Sequence, residues 1–289
     1  MLSLVGTGVA LITPFTEELT VDTLALRKLV NHVIAGGVEY IVVLGTTAET
    51  ATLSPLEKQL VIDTIVSENA RRVPLVIGVG GNNTQTLIED LKTKDYSAFQ
   101  AILSVTPYYN KPTQEGLYQH YAALAQVAPL PIILYNVPGR TGVNLLPSTV
   151  FRLAKEFSNI IGVKEASGDM EQFNKLLQER PENFMVLSGD DGLAVPVVLA
   201  GGEGVISVIA GAFPKEFSEM VRLALKGEAK NAYTTHHKMK EMIELIFEQG
   251  NPAGIKNLCN HLGLCLDKLR LPLVSVSSDL SARIKKAIL

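Results

Sequence analysis

Ile160-Ile161-Gly162-Val163-Lys164-Glu165-Ala166-Ser167 sets one ammonium group into a run that otherwise reads as a strand buried on both faces. A strand without polar alternation belongs in a parallel sheet covered by helices on either side. The same pattern recurs along the chain. Short apolar runs occupy Gly8 to Thr13, Tyr40 to Gly45, Leu75 to Gly80, Ala101 to Thr106, Ile132 to Tyr135, Ile160 to Lys164, Phe184 to Ser188 and Val205 to Ile209. Between them lie segments of helical periodicity, such as Thr23 to Ala35 with Leu26, Leu29, Val30 and Val33 on one face, and Glu115 to Val127 with Leu117, Tyr121, Leu124 and Ala125. Eight strands alternating with helices predict an α/β protein closed into a (β/α)8 TIM barrel. The alternative is an open doubly wound sheet, which usually carries a glycine-rich turn after its first strand; Thr13-Pro14-Phe15-Thr16 is not one.

Local signals place some boundaries. Ser54-Pro55-Leu56-Glu57 reads as a helix start, with Ser54 as N-cap, proline at the first helical position and a carboxylate in the first turn. Ala194 to Phe213 is apolar enough to suggest a membrane span, but Pro196, Gly201, Gly202, Glu203, Gly204 and Gly211 break it, and a helix end, a glycine turn and a buried strand fit better. After Gly211 the strands cease: Pro214 to Lys226, Glu228 to Gln249 and Pro252 to Leu262 read as successive helices. We therefore expect a catalytic barrel over 1–226 and a helical C-terminal region over 227–289.

A chain of 289 residues, 47% apolar and 19% charged, buries a full core and is not disordered. Its net charge of −3, without a basic stripe interleaved with aromatics, argues against nucleic acid as a partner. Cys259 and Cys265 are too few for a disulfide framework and are expected as reduced core residues of a cytoplasmic protein. The opening Met1-Leu2-Ser3-Leu4-Val5-Gly6 has no basic leader segment, so neither secretion nor membrane attachment is expected.

In a barrel of this kind, chemistry gathers where strands end and helices have not begun. The strand ends supply Gly45-Thr46-Thr47-Ala48-Glu49-Thr50, Thr106-Pro107-Tyr108-Tyr109-Asn110, Tyr135-Asn136-Val137-Pro138-Gly139-Arg140, Lys164-Glu165 and Ser188-Gly189-Asp190. An amine desolvated in an apolar site is neutral more of the time at pH 7, and the neutral amine attacks carbonyl carbon. Lys164, with hydroxyls from Thr46, Tyr109 and Tyr135, thus has the parts of Schiff-base chemistry, and Arg140 offers a bidentate anchor for a carboxylate. Each residue also has a structural reading: a lysine snorkelling to water, a core tyrosine, helix-capping threonines, a surface arginine. Asp190 and Asp191 read as capping residues ahead of Gly192 rather than metal ligands. His32, His120, His236, His237 and His261 fall in helical segments away from the strand ends, which argues against a metal-dependent reaction.

The stretches Thr106-Pro107-Tyr108-Tyr109-Asn110-Lys111-Pro112, Leu134-Tyr135-Asn136-Val137-Pro138-Gly139-Arg140-Thr141-Gly142 and Gly162-Val163-Lys164-Glu165-Ala166-Ser167-Gly168 resemble the dihydrodipicolinate synthases, within the pyruvate-dependent class I aldolase superfamily. The resemblance runs essentially end to end. It implies that Lys164 condenses with pyruvate and that the resulting enamine attacks aspartate semialdehyde. It casts Tyr135 as proton donor and acceptor, with Thr46 and Tyr109 completing a relay in which Tyr109 reaches into a neighbouring subunit. It gives Thr47 and the backbone around Ile206 to the pyruvate carboxylate, Gly189 to the substrate site and Arg140 to the semialdehyde carboxylate. No metal or organic cofactor is implied, and a homotetramer built from tight dimers is.

Two departures stand out. Ala48 replaces a glycine that would tolerate positive φ, so the turn is expected to carry strain if that φ is positive. Where lysine-inhibited relatives carry two histidines and a glutamate, this chain has Pro55, Lys58 and Thr86, and feedback by lysine is expected to be weak or absent. The rival readings are a sibling aldolase acting on a sugar acid such as N-acetylneuraminate, and a barrel that binds without catalysis. Arg140 and Tyr108-Tyr109-Asn110 weigh against the first. The assembled amine, hydroxyls and guanidinium weigh against the second.

Overall fold

The computed structural model describes residues 4–288, so the first three positions of the opening segment lie outside it. Eight parallel strands pair in chain order and the eighth returns to the first, closing the barrel: β1 Gly6–Ala10, β2 Tyr40–Val43, β3 Leu75–Gly78, β4 Ala101–Val105, β5 Ile132–Asn136, β6 Ile160–Glu165, β7 Met185–Ser188 and β8 Gly204–Ser207. The connections carry α1 Thr23–Ala35, α2 Pro55–Asn69, α3 Thr84–Thr93, α4 Gln114–Ala125, α5 Pro138–Thr141, α6 Pro147–Glu156, α7 Met170–Glu179, α8 Ala194–Leu199 and α9 Pro214–Leu225. Three helices follow: α10 Ala229–Glu248, α11 Ala253–His261 and α12 Ser278–Lys286.

Because side chains alternate along a strand, the sheet has two apolar faces. Ala10, Val42, Val76, Leu103, Ile133, Leu187 and Ile206 fill the barrel interior, while Val9, Ile41, Ile77, Ile102, Leu134, Val163, Val186 and Val205 face the helices. The outer cluster runs on through Met239 and Ile246 of α10, Leu258 of α11 and Leu280 and Ile284 of α12, so the C-terminal helices share one core with the barrel wall. Gly8 is needed on the inner face, since a Cβ there would sit 2.1 Å from the Tyr40 ring.

Capping chemistry fixes the helix starts, at α2 as the sequence suggests. Asp22 accepts from the Ala25 amide at 2.9 Å to open α1, and at α2 Ser54 and Glu57 close a reciprocal capping box ahead of Pro55. The apolar stretch from Ala194 resolves into α8, a turn through Gly201 at φ +108° and β8, and no described helix is long and apolar enough to cross a membrane.

Several strands end earlier than their apolar runs. β1 stops at Ala10 although Leu11 and Ile12 stay buried, and β2 stops at Val43 ahead of a buried Leu44 at φ +55°. Apolar sequence reports burial, whereas a strand also needs continued pairing: the Leu11 amide makes one last bond, to the Val42 carbonyl at 3.2 Å, before the chain leaves the sheet.

Candidate active site at the C-terminal mouth of the barrel

Lys164 and Glu165 are consecutive on β6, so they point to opposite faces. Lys164 turns inward. It pairs in register with Tyr135 of β5, and its Nζ lies 4.2 Å from the centre of the Tyr135 ring. Its side chain is 5% exposed, and among the described residues no carboxylate comes within 4.0 Å of its nitrogen. Glu165 turns outward, where Asn136 Nδ2 (2.9 Å), Gln172 Nε2 (2.7 Å) and the Ser167 amide (2.6 Å) donate to its carboxylate. Burial raises the Glu165 pKa and those donors oppose the rise. The amine is therefore not neutralised by its neighbour in sequence, and the carboxylate is consumed in locking β5 to β6.

Gly189, just past β7, completes this corner. A Cβ at that position would lie 2.9 Å from Lys164 Cε and 2.6 Å from Ala166 Cβ, so only a bare backbone leaves the amine its room. Ile206 is fully buried in β8 and belongs to the same interior cluster as Tyr135. Asp190 caps the turn ahead of α8 by accepting from the Gly192 amide at 2.8 Å, as the sequence suggests. Asp191 ties β7 to β8 instead, accepting from the Val208 and Ile209 amides at 3.1 and 2.9 Å, and burial pushes its carboxyl up to about 6 against those bonds.

On the facing side of the mouth, Thr47 is 2% exposed and accepts a hydrogen bond at 2.9 Å from Asn251 Nδ2. Arg140, exposed on α5, donates to the Asn251 backbone oxygen at 3.2 Å and has no carboxylate within ion-pair distance among the described residues. Among the described residues neither the recessed Lys164 amine nor the Arg140 guanidinium at the rim meets a carboxylate.

Thr46 and Tyr109 are not drawn into this cluster within the chain. Thr46 is exposed, Tyr109 is 89% exposed at φ +74°, and neither makes a side-chain hydrogen bond to Lys164 or Tyr135. The turn strain expected at Ala48 is displaced by one residue: Glu49 has φ +53°, and Ala48 has no positive φ. Among the described residues no three His, Cys, Asp or Glu side chains gather as a metal site, and Cys259 and Cys265 are buried free thiols.

Sequence reasoning missed Asn251 and the pair formed by Glu49 and Lys256. Both side chains of that pair are fully buried, Lys256 Nζ donating to Glu49 and, at 2.8 Å, to the Lys268 carbonyl. The partners lie 204 and 207 residues apart in the chain, and no local pattern reports such contacts.

Comparison with known proteins shows the family. Residues 3–289 match the model of the Dihydrodipicolinate synthetase family. The 4-hydroxy-tetrahydrodipicolinate synthase of Flavobacterium psychrophilum is 60% identical over 284 residues, 98% of this chain and 97% of its own. A solved dihydrodipicolinate synthase superposes with TM-score 0.94 at 42% identity over 98% of both chains. The chloride-inhibited dihydrodipicolinate synthase of Acinetobacter baumannii, solved with pyruvate, gives TM-score 0.94 at 40% identity over 98% of this chain and 97% of its own. With a closed eight-stranded barrel, an inward lysine on its sixth strand and an end-to-end match, this chain belongs to the dihydrodipicolinate synthetase family.

Proposed function

We propose that this protein is a 4-hydroxy-tetrahydrodipicolinate synthase, condensing pyruvate with L-aspartate 4-semialdehyde through a Schiff base on Lys164. The observation that carries the reading is the recessed Lys164 amine, set against the Tyr135 ring and, among the described residues, free of any carboxylate. Its Nζ attacks the keto carbon of pyruvate, the carbinolamine loses water, and loss of a methyl proton gives an enamine whose terminal carbon bonds to the aldehyde carbon of the second substrate. The substrate amine then displaces Lys164 as the ring closes.

Tyr135 is the group placed to shuttle protons at the imine, being the Lys164 register partner on the inner face. Thr47 and the backbone at Ile206 take the pyruvate carboxylate, Gly189 leaves space beside the amine, and Arg140 receives the carboxylate of the semialdehyde. Thr46, exposed at the rim, is given to the relay by the family resemblance alone. Tyr109 stands clear of its own barrel, which suits a residue that completes the site of a second copy in a dimer of dimers. The work is that of a biosynthetic enzyme of the cytoplasm.

The substrate test compares coupled turnover of pyruvate with aspartate semialdehyde against cleavage of N-acetylneuraminate. Turnover of the semialdehyde alone is expected. Preferential cleavage of the sugar acid would reassign the protein to a sibling aldolase.

A further inference from the structure

The loop after β2, which carries Thr46 and Thr47, is held from the C-terminal region by three side chains. Asn251 donates to Thr47 Oγ1, Lys256 pairs with Glu49, and Arg270 reaches the Thr52 carbonyl at 3.0 Å and the Glu57 carboxylate while its own amide donates to Glu49 Oε2 at 3.1 Å. Two of these attachments are fixed by charge and hold the loop in place. The third has a different consequence, because it decides where a proton points.

A threonine hydroxyl has one proton and can rotate it. With Asn251 Nδ2 donating to Thr47 Oγ1 at 2.9 Å, the lone pair facing Asn251 is occupied, and the Thr47 proton must turn elsewhere. Among the described residues it meets no protein acceptor. Asn251 is 7% exposed, its Oδ1 is buried with no partner among the described residues, and its backbone oxygen accepts from Arg140 Nη2 at 3.2 Å. One residue between α10 and α11 thus touches both side chains assigned to substrate carboxylates.

We infer that Asn251 is a positioning residue: its side-chain amide presets the Thr47 hydroxyl as a donor to the carboxylate of the keto acid, and its backbone carbonyl seats Arg140 for the second substrate. This rests on the pyruvate-imine reading of the site. A preset donor needs no reorganisation when the anion arrives, so the gain falls on keto-acid capture rather than on the later carbon–carbon bond.

The test is borohydride trapping over a pyruvate titration, with melting temperatures measured alongside. Asn251→Ala is expected to raise half-saturating pyruvate about tenfold, with a smaller change in kcat. Asn251→Asp keeps the volume and the Arg140 contact but makes the side chain an acceptor, so it recruits the Thr47 proton and adds a negative charge; a larger rise than for alanine is expected. Thr47→Val, which removes the donor itself, should raise half-saturating pyruvate at least as much as Asn251→Ala, and the double variant should match Thr47→Val alone. Unchanged pyruvate saturation in Asn251→Asp, additive losses in the double variant, or lower melting temperatures with normal saturation would each overturn the positioning role while leaving the imine reading intact. A native protein that traps no pyruvate would overturn both.

Discussion

Lys164 and Lys256 are both buried amines in apolar surroundings, each stacked on an aromatic ring, Tyr135 at 4.2 Å and Phe15 at 4.1 Å. What separates them is company. Lys256 on α11 is fully enclosed, paired with Glu49 and bonded to a backbone carbonyl. Burial lowers its pKa while Glu49 pulls the other way. Lys164 on β6 has no carboxylate within reach among the described residues and keeps a small opening to the mouth. A buried amine that is paired and bonded serves the fold; one left without a carboxylate beside an opening is the one we propose for chemistry.

Exchanging each lysine for methionine would break this comparison most sharply. Lys164→Met should abolish turnover, by about 10⁴-fold or more, with the urea midpoint unchanged or raised, because an unpaired buried amine is replaced by an apolar chain of similar length. Lys256→Met should do the reverse. It strands the Glu49 carboxylate in the core and should lower unfolding free energy by about 3–5 kcal/mol, while whatever folds still forms the pyruvate imine. Replacing Glu49 by leucine in the same variant should recover much of that loss. Equal activity loss with no stability loss in Lys256→Met would erase the distinction.

A smaller effect concerns a buried carboxyl that pairs with no cation among the described residues. The Asp191 carboxyl is raised from 3.8 to about 6 by burial, so between those values the folded chain holds a proton that the unfolded chain has released. Its stabilising contribution is present below pH 3.8 and is lost as pH rises through about 6. Urea unfolding between pH 4 and 6.5 should show that decline, of order 1–3 kcal/mol, and Asp191→Asn should remove it. A native profile with the opposite slope and no dependence on Asp191 would contradict the assignment.

The smallest effect concerns surface amines. Pro55 opens α2, Lys58 lies in its first turn and Thr86 is exposed on α3, so an incoming lysine meets a like charge and no carboxylate at these positions. Initial rates should change little at millimolar lysine. Strong inhibition would show that the effector site does not depend on these three residues.

The fold was legible because the strands of a covered parallel barrel repeat one signal, a short and mostly apolar run, as in Tyr40–Val43 and Leu75–Gly78. The inward corner of the site was legible for the same reason. An ammonium inside such a run violates the pattern, and period-two alternation puts Lys164 on the opposite face from Glu165. The clamp from the C-terminal region was not legible. Asn251 and Arg270 meet Thr47 and Glu49 across 204 and 221 residues, and a contact of that kind is set by how α11 docks, not by neighbours in sequence. α12 was not singled out within the expected helical region, because Ser278–Lys286 buries only Leu280 and Ile284 among mostly polar and charged residues.

The central claim is that the Lys164 amine captures a keto acid covalently, and borohydride reduction in the presence of pyruvate, followed by peptide mass spectrometry, tests it most directly. The account predicts one reduced pyruvyl adduct per chain, on the peptide carrying Lys164 and absent from the peptide carrying Lys256. An adduct on another lysine, or none with the folded protein at saturating pyruvate, would contradict it.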